Sequence, residues 1–295
     1  RSPILTTPTP ATPHPFDEAM AFTPCDAPAG WPGHAGTRYW QGRTHPGYAN
    51  MVGPYGGITA AQALNAVMLH PERLGEPLAL TVNYAGPLAD GPFIATATPL
   101  RTNRSTQHWS VALLQTDASG ALAVTTTATA VTAARRETWS VSDTPAPPVP
   151  RPHEVLAEAR GGVPMEWRNR YEMRAIVGDF PREWDDSHSH SSLSQLWMRD
   201  APPRPLDFCA LAALCDLFFP RLFLRRARRV PIGTVSMTAY FHAGSTELAA
   251  TGAGYLLGQA QAQEFRNGFF DQTAQVWNEA GTMLATTHQV VYYKE

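Results

Sequence analysis

A charge of one sign is what this chain lacks most. Its 23 Lys and Arg nearly balance 25 Asp and Glu, for a formal net charge of −2. There is no basic field of the kind that holds nucleic acid through its phosphates. Arginines crowd only at Arg225, Arg226, Arg228 and Arg229. The ordinary reading of that cluster is a solvated loop after a helix; the functional one is an anchor for a phosphate-bearing ligand. Cysteine is scarce as well. Cys25, Cys209 and Cys215 make no even disulfide framework, and the last two lie in an apolar run as buried thiols. No Cys-x-x-Cys or His-Glu-x-x-His spacing offers a metal site, and His188 and His190 sit in a polar loop where nothing fixes them as ligands. No apolar run is long enough to span a bilayer and no signal peptide is visible, so the expected location is the cytoplasm. A Gly-x-Ser-x-Gly elbow is missing, as are glycine-rich phosphate loops of the P-loop or Rossmann kind. A serine nucleophile and a bound cofactor are therefore both unexpected.

What is present is a pattern stated twice. The length of 295 residues and a hydrophobic fraction of 43% suit two domains of ordinary size. The first statement begins at Gly56-Gly57 and continues as a helix through Ala61-Gln62-Ala63-Leu64 to Met68, where Pro71 stops it. A strand follows over 80–86, then a hairpin over 109–131 that turns at Asp117-Ala118-Ser119-Gly120. The second statement has a helix over 206–219, with Asp207 at its amino-terminal end, a strand over 234–242 and a hairpin over 269–293 turning at Asn278-Glu279-Ala280-Gly281. Tyr84 and Phe241 fall at equivalent places, as do Gly120 and Gly281. Further strands are expected near 37–40, 94–99, 171–177 and 193–199.

Residues 1–15, rich in Pro and Thr, read as a disordered tail. Residues 16–140 form the first unit and 166–295 the second. Between them, 141–165 is a linker whose prolines at 145, 147, 148, 150 and 152 bar it from a sheet interior or a helix centre.

The anomaly is Asp216. It is the sole charged residue between Phe208 and Pro220, in a run with Leu211, Leu214, Leu217 and Phe218. A lone carboxylate in such a setting is costly unless it is hydrogen-bonded or paired. The competing reading turns it outward to solvent. Thr234 read alone is an ordinary strand residue, Gln289 an ordinary cross-strand polar residue, and Gly56-Gly57 an ordinary turn before a helix.

Taken in order, Tyr55-Gly56-Gly57, Gln195-Leu196-Trp197-Met198-Arg199, Leu214-Cys215-Asp216-Leu217, Thr234 before Phe241-His242, and Thr286-Thr287-His288-Gln289 resemble the double-hotdog acyl-CoA thioesterase II family. The resemblance implies an α+β fold of two tandem hotdog units, each a long antiparallel sheet wrapped around a central helix. It implies hydrolysis of an acyl-CoA or acyl-carrier thioester, with Asp216, Thr234 and Gln289 directing water. Chemistry then suggests backbone N–H groups at Gly56 and Gly57 as the oxyanion site. The first-half helix carries Gln62 and Asn65 but no carboxylate, so one complete site per chain is implied. Sheet edges of hotdog units need partners, so the two halves should pair internally, and a homo-oligomer of such chains is allowed. Two alternatives remain open: a dehydratase or hydratase acting on 3-hydroxyacyl thioesters, for which His45 and His108 are the first-half candidates, and a non-catalytic acyl-thioester-binding protein.

Overall fold

The structure is a computed structural model that describes residues 11–158 and 165–295. Most of the expected tail, and 159–164 of the expected linker, lie outside the described residues. In chain order the first half contains α1 (Pro15–Ala19), β1 (Thr23–Pro24), β2 (Arg38–Arg43), α2 (Gly56–Met68), β3 (Glu76–Tyr84), β4 (Pro92–Thr102), β5 (Thr106–Thr116) and β6 (Leu122–Ala133). The second half contains β7 (Tyr171–Val177), β8 (Ser194–Asp200), α3 (Phe208–Leu214), α4 (Arg221–Arg225), β9 (Ile232–Phe241), α5 (Ser245–Thr251), β10 (Leu256–Gln261), β11 (Phe265–Arg266), β12 (Phe269–Asn278) and β13 (Met283–Tyr293). Pro15 opens a helix rather than closing the tail, because the His14 ring accepts from the Phe16 N–H and caps it.

The strands of the described residues join one antiparallel sheet in the order β1-β2-β4-β5-β6-β3-β9-β13-β12-β10-β8-β7, with β11 on β12. Read outward from the β3–β9 seam, the two halves repeat one another: β6 matches β13, β5 matches β12, β4 matches β10 and β2 matches β8. The expected double hotdog is what the chain forms. The two tight hairpin turns match too, since Gly120 and Gly281 both adopt positive φ, at 82° and 87°, where a side chain would be strained. At the seam, Thr81 pairs with Thr238, and their hydroxyls lie 2.9 Å apart. The spacing that separates Tyr84 from Phe241 also separates Thr81 from Thr238, so the repeat's pseudo-twofold axis passes through a residue facing its own copy.

Helices α2 and α3 run side by side inside the curl of the sheet. Gly57 through Val67 of α2 and the whole of α3 are buried, as their Ala and Leu content requires. The approach is closest at the start of α2. A Cβ on Gly57 would lie 2.5 Å from the Ala213 carbonyl oxygen, and the Tyr55 hydroxyl donates to that same oxygen at 2.6 Å.

Two expectations need correction. The second helix is shorter than 206–219. Asp207 caps it as expected, accepting from the Ala210 N–H at 2.8 Å, but after Leu214 the bonds tighten from i→i−4 to i→i−3 (Asp216 N–H to Ala213 O, Leu217 N–H to Leu214 O) ahead of Pro220. Asp216 therefore stands in the turn beyond α3, not within the helix. The proline-rich segment is also more than a linker. Ala146, Val149 and Val155 pack on the outer-face cluster of Trp197, Leu257 and Trp277. Both indoles are satisfied by the segment's backbone: Trp197 Nε1 donates to Pro150 O at 2.8 Å and Trp277 Nε1 to Thr144 O at 3.3 Å. The prolines that keep the segment out of the sheet leave its carbonyls free to accept these bonds.

Candidate active site

Three of the expected residues converge. Asp216 comes from the turn after α3, Thr234 from β9 and Gln289 from β13. The Thr234 hydroxyl donates to Gln289 Oε1 at 3.0 Å, and Gln289 Nε2 donates to Asp216 Oδ1 at 3.0 Å. This chain of bonds fixes the Gln289 amide: its oxygen receives from Thr234, so its nitrogen is the group that meets the carboxylate. Gln289 is buried, while Asp216 and Thr234 are half-buried.

Thr234 reaches the inner face through a β-bulge. Met237, Ala239 and Phe241 alternate inward along β9, and strict alternation would bring Val235 in next and turn Thr234 out. Instead the register against β13 steps from Ser236 opposite Val290 to Thr234 opposite Val291, leaving Val235 unpaired and 38% exposed. The extra residue restores Thr234 to the inner side. The first half has the same device. There the β3–β6 register steps from Ala79 to Pro77 past Leu78, which is 39% exposed. The bulge thus belongs to the repeat. At the place of Thr234 the first half has Pro77, and at the place of Gln289, opposite Leu80, it has Ala130. The hydrogen-bonding groups are gone from that copy, in keeping with the one site implied by its lack of a carboxylate.

The first half nevertheless contributes. Gly56 starts α2 directly over the carboxylate, so that a Cβ there would lie 2.8 Å from Asp216 Oδ2. The Tyr84 hydroxyl donates to Gly56 O at 2.7 Å and holds the turn. Tyr55, buried and stacked on Trp167 at 4.5 Å between ring centroids, anchors the preceding residue. Helix α2 is long enough, and its first N–H groups free enough of intrahelical partners, for its amino terminus to favour negative charge. Gly56 is half-buried, whereas Gly57 is buried against α3. Residues of both halves thus meet at Asp216, Gly56 from the first and Gln289 from the second.

Burial raises the Asp216 carboxyl to about 7, opposed only in part by the Gln289 hydrogen bond. The phenols of Tyr55 and Tyr84 are pushed well above their ordinary range, by burial first and by the nearby Asp216 second. Both stay neutral donors. Burial also raises Cys215, to about 12, so the thiol next to Asp216 is no nucleophile.

The other candidates are elsewhere. His45 accepts from the Gly47 N–H and sits 2.7 Å from Glu18, and His108 is exposed on β5. His188 and His190 are exposed. Among the described residues no group of three or more His, Cys, Asp and Glu could hold a metal ion, and no helix is long and apolar enough to cross a membrane. The arginine cluster is largely engaged in structure. Arg225 donates to Ser189 O, Arg226 pairs with Asp186 and Glu295, and Arg229 lies over the Trp184 ring, which leaves Arg228 exposed. The supporting tyrosines were not expected from sequence, although one signal existed: Tyr84 stands where the second copy has Phe241, a hydroxyl gained on the side facing the site.

Two family models match the chain, the acyl-CoA thioesterase N-terminal domain over 45–158 and the acyl-CoA thioesterase C-terminal domain over 142–293. The chain belongs to this acyl-CoA thioesterase family. Among solved structures, a hotdog-fold protein of unknown function from Alicyclobacillus acidocaldarius is 45% identical, with a TM-score of 0.84 over 96% of this chain and 99% of that one. The acyl-CoA thioesterase II TesB2 of Mycobacterium marinum shares the fold at 16% identity, with a TM-score of 0.68 over 95% and 98% of the two chains. The tesB protein of Mycobacterium avium subspecies paratuberculosis does so at 16% identity and a TM-score of 0.71, over 95% and 98%. No curated protein matches the chain.

Proposed function

We propose that the protein hydrolyses acyl-CoA thioesters by direct attack of water. The observation that carries this is the bonded chain Thr234–Gln289–Asp216, which among the described residues leaves Asp216 Oδ2 without a side-chain donor and facing the start of α2. Water held by Asp216 Oδ2 and the Thr234 hydroxyl lies between the carboxylate and the amino terminus of α2. As its oxygen attacks the thioester carbon, one proton passes to Asp216 and the carbonyl π pair moves onto oxygen. The Gly56 and Gly57 N–H groups receive that oxyanion, aided by the helix dipole. Collapse re-forms the carbonyl, breaks the C–S bond and expels the thiolate, which takes the proton back from Asp216. The products are a carboxylic acid and free CoA thiol. A base that titrates near 7 suits this duty, being about half ionised at neutral pH and basic enough to accept a proton.

The test is thiol release from a panel of acyl-CoA esters by the wild type and by Asp216→Asn. Asparagine keeps the size of the side chain and can still accept from Gln289, but it cannot take the proton. A loss of about a hundredfold or more in kcat is expected. Equal rates would remove Asp216 from the role of base.

A further inference from the structure

The hydrolytic reading leaves two buried polar groups beside Gln289 with nothing to do. On β12 the inward residues are Phe270, Gln272, Ala274 and Val276; on β13 they are Ala285, Thr287, Gln289 and Val291. Gln272 is directly opposite Gln289, and Thr287 is opposite Ala274 on one side and Ala239 on the other. Both are inside the molecule, 3% and 5% exposed. Neither Gln272 Nε2 nor Thr287 Oγ1 has a hydrogen-bond partner among the described residues.

Such groups cost stability. A buried donor left unpaired gives up its hydrogen bond to water for nothing, and Leu at one position with Val at the other would remove the cost. Two of them on one inner face, next to the amide that meets the candidate base, mark a place where something else supplies the partner. The alanines on either side of Thr287 keep that place from being filled by neighbouring side chains. Gln272 stands on the far side of Gln289 from the half-buried Thr234, because β13 runs between β9 and β12, and we take the acyl end of a thioester whose carbon is at Asp216 to extend to that side. Directly opposed side chains in a sheet are about 5 Å apart at Cβ. That lateral step fits an oxygen on the third carbon of the acyl chain.

We propose that Gln272 and Thr287 are specificity-determining residues that bind an oxygen on the acyl chain near the thioester, so that the favoured substrates are 3-hydroxy- or 3-oxoacyl thioesters and not plain alkyl ones. The Gln272 amide donates to that oxygen; the Thr287 hydroxyl donates to an oxo group or accepts from a hydroxyl. This rests on the hydrolytic reading only for where the thioester lies.

The experiment compares hexanoyl-CoA with 3-hydroxyhexanoyl-CoA and 3-oxohexanoyl-CoA on the wild type, Gln272→Leu and Thr287→Val, read as the ratio of kcat/KM for each oxygenated ester to that for hexanoyl-CoA. The same three esters are titrated calorimetrically into Asp216→Asn, giving a ratio of Kd values free of turnover. The wild type is expected to favour at least one oxygenated ester by about tenfold or more, as for a site built to bond a polar substituent. Gln272→Leu should lower that ratio about tenfold, and Thr287→Val should lower it less. A purely structural role would reduce all esters together and leave the ratio unchanged, which would overturn the proposal. So would a wild-type ratio near one in both kcat/KM and Kd. If no ester is hydrolysed, the hydrolytic reading fails by itself, and the Kd ratio still decides this one. Should Gln272→Leu not fold, Thr287→Val and the wild-type ratios carry the decision.

Discussion

Asp216 should cost the protein stability in proportion to its charge, and Asp216→Asn should return it. The carboxyl titrates at about 7 in the folded chain against an ordinary value of 3.8. Between those values the folded state holds a proton that the unfolded chain has released, so stability falls as pH rises through the window and is level above it. At about 1.4 kcal/mol per pH unit, the penalty reaches about 4 kcal/mol above pH 7, of which less than half is present at pH 5. Asparagine carries no charge and does not titrate. Its advantage over the wild type should therefore grow by about 2–3 kcal/mol between pH 5 and pH 8. For a chain of 295 residues, whose unfolding entropy is about 0.6 kcal/mol per kelvin, that is about 4 °C in Tm. Paired thermal melts of the two proteins at pH 5 and pH 8 measure it. A Tm difference that is the same at both pH values, or that narrows at pH 8, would refute a strained, ionised carboxylate at this position. The same two samples should differ in the opposite sense in thiol release.

Three further outcomes are expected. Gly56→Ala places a methyl 2.8 Å from Asp216 Oδ2, so kcat should fall about tenfold or more while Tm moves little, as read by thiol release and thermal melts. Gln289→Leu removes the one hydrogen bond that holds the Asp216 carboxyl down, and the midpoint of the kcat/KM–pH profile should move upward from about 7. Trp197→Phe deletes the bond to Pro150 O while keeping most of the packing. It should cost about 1 kcal/mol in denaturant melts and speed proteolysis within 140–158, while a rate of cleavage equal to the wild type's would show that the proline-rich segment is held by packing alone.

Most of the fold was legible because it was written twice. Two apolar helices, two hairpins with glycine at the turn and two preceding strands agreed with one another, and each made the other easier to assign. What was not legible has physical reasons. The end of the second helix depends on i→i−3 bonds ahead of Pro220, which composition does not mark, so the sequence alone puts Asp216 in the helix instead of the turn. The bulge at Val235 reverses side-chain parity without any turn residue to announce it, and strict alternation from Phe241 would have excluded Thr234 from the site. The segment over 141–158 could be read as proline-rich but not as packed, because its partners, Trp197 and Trp277, are far away in sequence. Gln272 is not legible because a single polar residue in a strand carries no signal until its partner strand shows which face it occupies.

The seam between β3 and β9 has a consequence for how the protein behaves at low concentration. Gly56 and Asp216 come from different halves, so their juxtaposition is in effect an association of two units. In a pair of separate chains that association would weaken with dilution, and the site would come apart along with the pair. Here the chain itself tethers the halves, and the sheet runs unbroken through Thr81 and Thr238. The effective concentration of one half at the other is set by the tether, not by the sample. Activity per chain should therefore stay constant from micromolar stock to the smallest amount an assay can detect.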